Sequence, residues 1–260
     1  MIVRAGLGVV LAAAIALVAY RAGSLSRSGA IAATIVGAVC IAAGWDWGIL
    51  LIAFFVSSSA LSRFGTEVKE RRTSSIVAKG GTRDAMQVLA NGGLFACAAL
   101  LALLTRWSGW PAIGAGALAA ASADTWGTEI GTLVARRPRL LTTWRQVDAG
   151  VSGGVTAPGL LASLAGALFV AGVAFALGWP ASVARAALVG GVAGALADSL
   201  LGALWQSRRR CVQCETATER LVHTCGSSTV PAGGLAWLDN DSVNALASLV
   251  GAGVALLTLV

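Results

Sequence analysis

Three acids stand where acids are costly. Asp124 and Glu129 fall in Ala123-Asp124-Thr125-Trp126-Gly127-Thr128-Glu129, and Asp198 falls in Ala197-Asp198-Ser199-Leu200-Leu201-Gly202, each within a long apolar stretch. An ionisable group in such a setting marks a functional site by default. Asp84, Asp239 and Asp241 open two further apolar stretches. Helical spacing gives them polar company. Asp84, Gln87 and Asn91 share one helix face, and Asp241, Asn244 and Ser248 repeat that spacing. Gly190, Gly194, Asp198 and Gly202 step by four, a stripe that lets a neighbouring helix or a ligand approach the backbone. Acids that merely pair with arginines to tie helices together would explain one isolated case better than six.

The basic counterpart is equally local. Lys79-Gly80-Gly81-Thr82-Arg83-Asp84 leads into one apolar stretch, and Gly150-Val151-Ser152-Gly153-Gly154 leads into another, preceded by Arg136, Arg137 and Arg139. Glycine-rich turns before helix N-termini suit phosphate, because unpaired N–H groups and the positive dipole end point outward. Neither segment has Walker A spacing. Carboxylates beside such turns suit Mg²⁺ and phosphoryl transfer, since Mg²⁺ takes a few carboxylates plus phosphate oxygens. His223 is the only histidine, and no serine sits in a nucleophile elbow. A phosphate monoester acceptor would need no strong protein base, because its second pKa is about 6.

The elements that carry these residues are membrane helices. Of 260 residues, 57% are hydrophobic and only 12% charged, with a mean hydropathy of +0.78. A soluble domain carries about twice that share of charge, so a water-soluble enzyme and a disordered chain are both excluded. The net charge of +7 orients the protein rather than implying nucleic acid. Apolar stretches at about 3–20, 28–44, 46–62, 85–105, 111–134, 154–178, 184–206 and 242–260 predict an all-α bundle of about eight transmembrane helices. The first reads as an uncleaved span rather than a signal peptide. With eight spans, sixteen of 19 basic residues fall in alternate loops, which places both termini outside. One transmembrane domain, 1–260, is expected, with cytoplasmic loops at about 63–84, 135–153 and 207–241 carrying the site. Trp45, Trp47, Trp107, Trp110 and Trp179 fall at outer ends, and Trp126, Trp144, Trp205 and Trp237 near inner ends, as an interfacial belt requires.

Taken as a set, Lys79 to Asp84 with Gln87 and Asn91-Gly92, Ala123-Asp124-Thr125-Trp126 with Glu129 and Gly131, and Ser152-Gly153-Gly154-Val155 resemble one membrane family. Asp198 to Ala203 with Gln206, and Leu238-Asp239-Asn240-Asp241 with Val243-Asn244, continue the match. The family contains the plant chloroplast phytyl-phosphate kinase of vitamin E synthesis and bacterial and archaeal relatives of unknown function. The resemblance implies a CTP-dependent kinase that converts an isoprenoid monophosphate, such as phytyl or geranylgeranyl phosphate, to the diphosphate. Val151 departs from the threonine expected there. The lack of a transit peptide fits a prokaryotic plasma-membrane protein with its site on the cytoplasmic face. On this reading Asp124, Glu129, Asp198 and Asp241 ligate Mg²⁺. Lys79, Gly80, Gly81, Arg83, Arg139 and Ser152-Gly153-Gly154 hold donor phosphates, and Asn91 and Asn244 bond phosphate or orient carboxylates. Two other classes stay open: a cytidylyltransferase forming a CDP-lipid, and an ion-coupled secondary transporter, whose site would lie nearer the bilayer midplane.

Cys40 and Cys97 sit in apolar runs and read as small core residues. Cys211-Val212-Gln213-Cys214, followed by His223 and Cys225, offers four Zn²⁺ ligands in one loop, with the C-x₂-C start of a zinc knuckle. Free thiols in a reduced compartment are the alternative.

Overall fold

The computed structural model describes residues 2–134 and 137–259. Each of the eight apolar stretches folds as a helix, and most helix starts have a local chemical cause. α1 (Ile2–Arg21) is followed by α2 (Arg27–Ala43), whose cap Ser26 accepts a hydrogen bond from the Gly29 N–H. Gly44 alone separates α2 from α3 (Trp45–Arg63). A short charged helix, α4 (Thr66–Thr73), lies in the next loop. Asp84 and Gln87 form a reciprocal capping box on α5 (Ala85–Thr105). α6 (Trp110–Leu133) has proline in its first turn, where the missing N–H costs nothing. Thr156 caps α7 (Ala157–Ala176), α8 (Ala181–Leu204) follows Pro180, and Asp239 caps α9 (Asn240–Leu257) by accepting from the Ser242 N–H.

Among the described residues, six helices, α1, α3, α5, α7, α8 and α9, are long and apolar enough to cross a membrane. α2 is apolar but shorter, and α6 falls outside that set. Large apolar side chains such as Leu7, Val10 and Val18 on α1 and Ile31 and Ile35 on α2 face outward, as lipid contact requires. The protein is a polytopic helical membrane protein.

The all-α expectation needs one amendment. The polar loops contain an antiparallel pair, β1 (Arg139–Leu140) with β2 (Gly154–Val155), and a three-stranded sheet. That sheet is built from β3 (Arg208–Cys211), β4 (Ala217–Thr218) and β5 (Thr229–Gly233), in the order β4-β3-β5. Strands of two to five residues leave little periodic signal.

α6 sits at the centre, packed against α5, α7, α8 and α9. Its buried face runs from Ala112 to Ala123 and is almost entirely Ala, Gly and Ser. The glycine stripe of α8 serves this packing. A Cβ at Gly190 would lie 2.3 Å from the Gly251 carbonyl oxygen of α9, and one at Gly194 would lie 2.3 Å from the Ala120 Cβ of α6. The stripe therefore admits helices, by the close backbone approach that small residues allow. α1, α2, α3 and α5 form the other side of the bundle and line a partly open apolar cavity of about 80 Å³.

The basic loops meet at one end of the bundle. Arg63 donates to Ser24 and the Ala22 carbonyl, Arg72 to the carbonyls of Thr132 and Val134, and Arg220 to those of Ser74 and Val77. At the opposite end Arg4 binds the carbonyls of Ala42 and Ala43, Trp179 donates to Asp46, and Trp47 packs on Phe95 and Trp179.

Candidate functional site

Asp124 of α6 and Asp198 of α8 face each other across the interface of two packed helices, close enough for their charges to interact. Among the described residues Asp198 Oδ2 is buried with no hydrogen-bond partner, and so is the Trp126 indole N–H, whose ring packs on Phe169 of α7. A buried carboxylate oxygen without a donor is costly, and two carboxylates at this range repel unless a proton or a cation lies between them. The pair is therefore an arrangement that a cation would complete.

Glu129 lies one turn further along α6 and is already satisfied. It accepts from Lys69 Nζ at 2.5 Å and from Ser62 Oγ at 2.6 Å. Lys69 comes from α4, is buried, and also donates to the carbonyls of Leu61 and Ser62. Ser62 in turn meets Arg83 Nη2 at 3.4 Å, and Ser59 accepts from Arg83 Nη1 at 2.9 Å. The Arg83 guanidinium stands 5.8 Å from the Phe55 ring centroid. Burial pulls Arg83 below its ordinary value, with the nearby Glu129 charge opposing that pull. Arg83, Gln87 and Asn91 form the polar end of the apolar cavity, and Asn91 donates to the Gln87 carbonyl. The α3 lining runs from Gly48 to Phe55, about 10 Å of helix.

Lys79 bridges two helix starts. Its Nζ reaches Asp84 at 2.8 Å and also donates to Asp241 Oδ2, while Asp241 Oδ1 is buried and unpartnered. Burial pulls the Lys79 ammonium down, but the hydrogen bonds to Asp241 and Asp84 outweigh it and hold the group above its ordinary value. Gly80 and Gly81 are exposed, with open space where a side chain would go. Asn244 is half-buried on α9, near Asp241.

The second glycine turn is packed rather than open. Gly153 has φ +78°, and a Cβ there would lie 2.5 Å from the Ala203 backbone nitrogen. The Gly154 N–H is bonded to the Val151 carbonyl. Ser152 donates to Glu219 Oε1 at 2.5 Å, and Gln206 Nε2 donates to the same oxygen at 2.7 Å. Burial holds the Glu219 carboxyl above the ordinary glutamate value, and hydrogen bonds from Ser152 and the Ala78 backbone partly offset it. Arg139 is exposed and donates to the Trp144 carbonyl. Arg137 is also exposed, and Arg136 lies outside the described residues.

The candidate positions thus separate. Asp124 and Asp198 come together, Arg83 joins Glu129 through Ser62, and Lys79 joins Asp241. Asp84 and Asp239 act as helix caps. Sequence reasoning missed Lys69, Ser59, Ser62 and Glu219. The run Ser57-Ser58-Ser59 with Ser62, at the C-terminal end of an apolar stretch, was the available signal for the serines. Glu219, an acid in a strongly basic loop, was a weaker one.

Among the described residues, one group gathers at least three metal-ligating side chains: Cys211, Cys214, His223 and Cys225, whose ligand atoms all lie within 4.8 Å of one another.

The sequence profile of the family described as integral membrane protein DUF92 matches residues 10–252. Protein PGR of Arabidopsis thaliana is 34% identical over 270 residues, covering 93% of this chain and 91% of that protein. An uncharacterized membrane protein of Methanocaldococcus jannaschii is 30% identical over 209 residues, covering 80% of this chain and 85% of its own length. One from Synechocystis is 25% identical over 229 residues, with 86% and 78% covered. No solved structure matches.

Proposed function

The chain belongs to the DUF92 family of integral membrane proteins, and we propose that it is a CTP-dependent kinase that phosphorylates an isoprenoid monophosphate to the diphosphate. The observation that carries this reading is the apolar cavity ending in Arg83, Gln87 and Asn91. A lipid tail with a phosphate head needs that pairing of surfaces, and one serine connects the cationic end to Glu129. The resemblance of the 79–91, 123–131 and 198–206 segments to the phytyl-phosphate kinase family supplies the substrate class and the nucleotide.

The chain has eight spans on this reading, with both termini outside and the loops around 63–84, 135–153 and 207–241 on the cytoplasmic face of the plasma membrane. The first part of the isoprenoid tail occupies the cavity between α1, α2, α3 and α5, the rest passes out laterally between helices into lipid, and Arg83 binds the phosphate. Lys79, with Gly80 and Gly81, meets the donor phosphates from the adjacent open loop. An oxygen of the monophosphate attacks the γ-phosphorus of CTP, the β–γ bridging P–O bond breaks, and CDP leaves. The acceptor oxygen is already ionised near neutral pH, so no protein base takes a proton. Asp124 and Asp198 are the residues that would hold Mg²⁺, and the partnerless Asp198 Oδ2 fits that role. Glu129 and Asp241 are engaged by lysines, and would act through water or after those lysines turn to phosphate. Mg²⁺ supplies neutralisation of charge on the transferring phosphoryl group.

Purified protein in lipid is expected to form isoprenoid diphosphate and CDP from CTP and phytyl or geranylgeranyl phosphate. A nucleotidyl-lipid plus pyrophosphate would instead identify a cytidylyltransferase. Full activity in both Asp124→Asn and Asp198→Asn would remove the metal assignment.

A further inference from the structure

The loop between α8 and α9 holds a constellation that the proposed phosphoryl chemistry does not use. Cys211 ends β3, Cys214 lies in the turn after it, and His223 and Cys225 flank the approach to β5. Cys211 Sγ and Cys225 Sγ are 3.5 Å apart, and His223 Nδ1 is 3.2 Å from Cys225 Sγ. A tetrahedral Zn²⁺ with Zn–S near 2.3 Å and Zn–N near 2.0 Å separates sulfurs by about 3.8 Å, and sulfur from nitrogen by about 3.6 Å. The observed spacings fall within a few tenths of an ångström of these. We infer that Cys211, Cys214, His223 and Cys225 form a closed, structural zinc site that clamps the 207–233 cap onto the loop leading to Lys79.

The surroundings supply what a zinc site needs beyond four ligands. The Cys214 backbone N–H points at Cys211 Sγ, 3.4 Å away, as in a C-x₂-C turn. His223 faces Cys225 with Nδ1, and its other nitrogen lies 3.5 Å from the Thr216 hydroxyl. A ligating histidine is normally oriented by just such a contact at its second nitrogen. The Cys211 and His223 side chains are buried. Arg209 and Arg210 lie on the same strand as Cys211 and are held by Thr229 and Glu215. Three sulfurs and one nitrogen leave no open position, and soft thiolates with imidazole select zinc over Mg²⁺.

Between the two halves of the ligand set runs the segment that touches the rest of the protein. Thr218 Oγ1 donates to the carbonyls of Ser75 and Ile76, the Glu219 N–H to that of Ile76, and Arg220 to those of Ser74 and Val77. Glu219 reaches Ser152 and Gln206. Residues 216–220 are thus a short arc tied at both ends by ligands. Zinc shortens the free chain on each side of that arc and keeps it seated on residues 74–78, the segment that delivers Lys79.

The test begins with protein carrying no histidine tag, prepared with reducing agent and supplied zinc, and analysed for bound metal. The expected result is one zinc per chain, a cobalt-substituted form with thiolate-to-cobalt charge-transfer bands, and loss of the metal in a Cys214→Ser/Cys225→Ser double variant. His223→Cys should retain zinc and His223→Ala should lose it, which separates ligation from a folding defect. Stripping zinc from the wild-type protein should open Arg209 and Arg220 to trypsin while cleavage outside the 207–233 cap is unchanged. Protein that binds no stoichiometric zinc, or that carries a Cys211–Cys225 disulfide when isolated without reductant, overturns the site. Zinc removal that leaves the tryptic pattern unaltered overturns the clamp. None of these readouts depends on kinase activity.

Discussion

The carboxylates at the basic-loop end of the bundle come in two kinds. Glu129 and Asp241 each have a lysine, contributed by the α3–α5 connection and reaching a helix more than 50 residues away in sequence. Asp124 and Asp198 have each other instead, and one Asp198 oxygen has no partner. The first kind is already neutralised at rest: Lys69 ties α4 to α6, and Lys79 ties the start of α5 to the start of α9. The second kind costs stability unless something binds to it. The contrast teaches that position in an apolar helix is a weaker sign of function than an unmet electrostatic demand.

The sharpest way to break this contrast is to neutralise each kind. Asp198→Asn and Asp124→Asn should each lower product formation by about 10²–10³-fold, the scale for losing one preorganised electrostatic contact. Thermal unfolding in detergent should be unchanged or raised, because the repulsion is relieved. Lys69→Ala should do the reverse and leave Glu129 buried without its cation. Complete burial would cost about 3–5 kcal/mol; because Glu129 is 20% exposed, a loss of about 2–3 kcal/mol is expected from denaturant unfolding. A Lys69→Met/Glu129→Gln double variant should recover most of it. Asp84→Ala removes a helix cap and one of two partners of Lys79, and should lower stability by about 1 kcal/mol.

The smallest effect is a pH dependence. Burial holds Glu219 above its ordinary value of 4.5, so the folded state binds the proton more tightly than the unfolded chain. Its contribution is fully present below the unfolded value and is lost as pH rises through the folded one. Glu219→Gln keeps an acceptor for Ser152 and Gln206, and should flatten stability across that interval in unfolding curves taken at successive pH values.

Much of the bundle was legible before any coordinates. Runs such as 85–105 and 154–178 are long and apolar, so length alone marks the helices, although the second helix starts only at Ala157, after its Thr156 cap. The level of the acids was legible too, because Asp124, Asp198 and Asp241 all lie toward the basic loops. Their partners were not. Lys69 and Glu129 are 60 residues apart, and no local rule pairs them. The Ser152-Gly153-Gly154 turn read as an open cradle because local spacing cannot reveal that Gly153 packs on Ala203 or that Ser152 is taken by Glu219. Asp84 and Asp239 carried cap signatures of their own, yet helical spacing drew them into the site.

α6 has one more consequence, for how the protein enters its membrane. It carries Asp124 and Glu129, and it stands outside the set of helices apolar enough to span by composition alone. Its small side chains give lipid little to hold, whereas α7, α8 and α9 fit it closely. Chains truncated just after residue 134 should therefore leave this segment untranslocated in a glycosylation-mapping assay, and chains extended through α8 should insert it. Biogenesis would then proceed as cooperative assembly, with α6 waiting for neighbours that have not yet been synthesised.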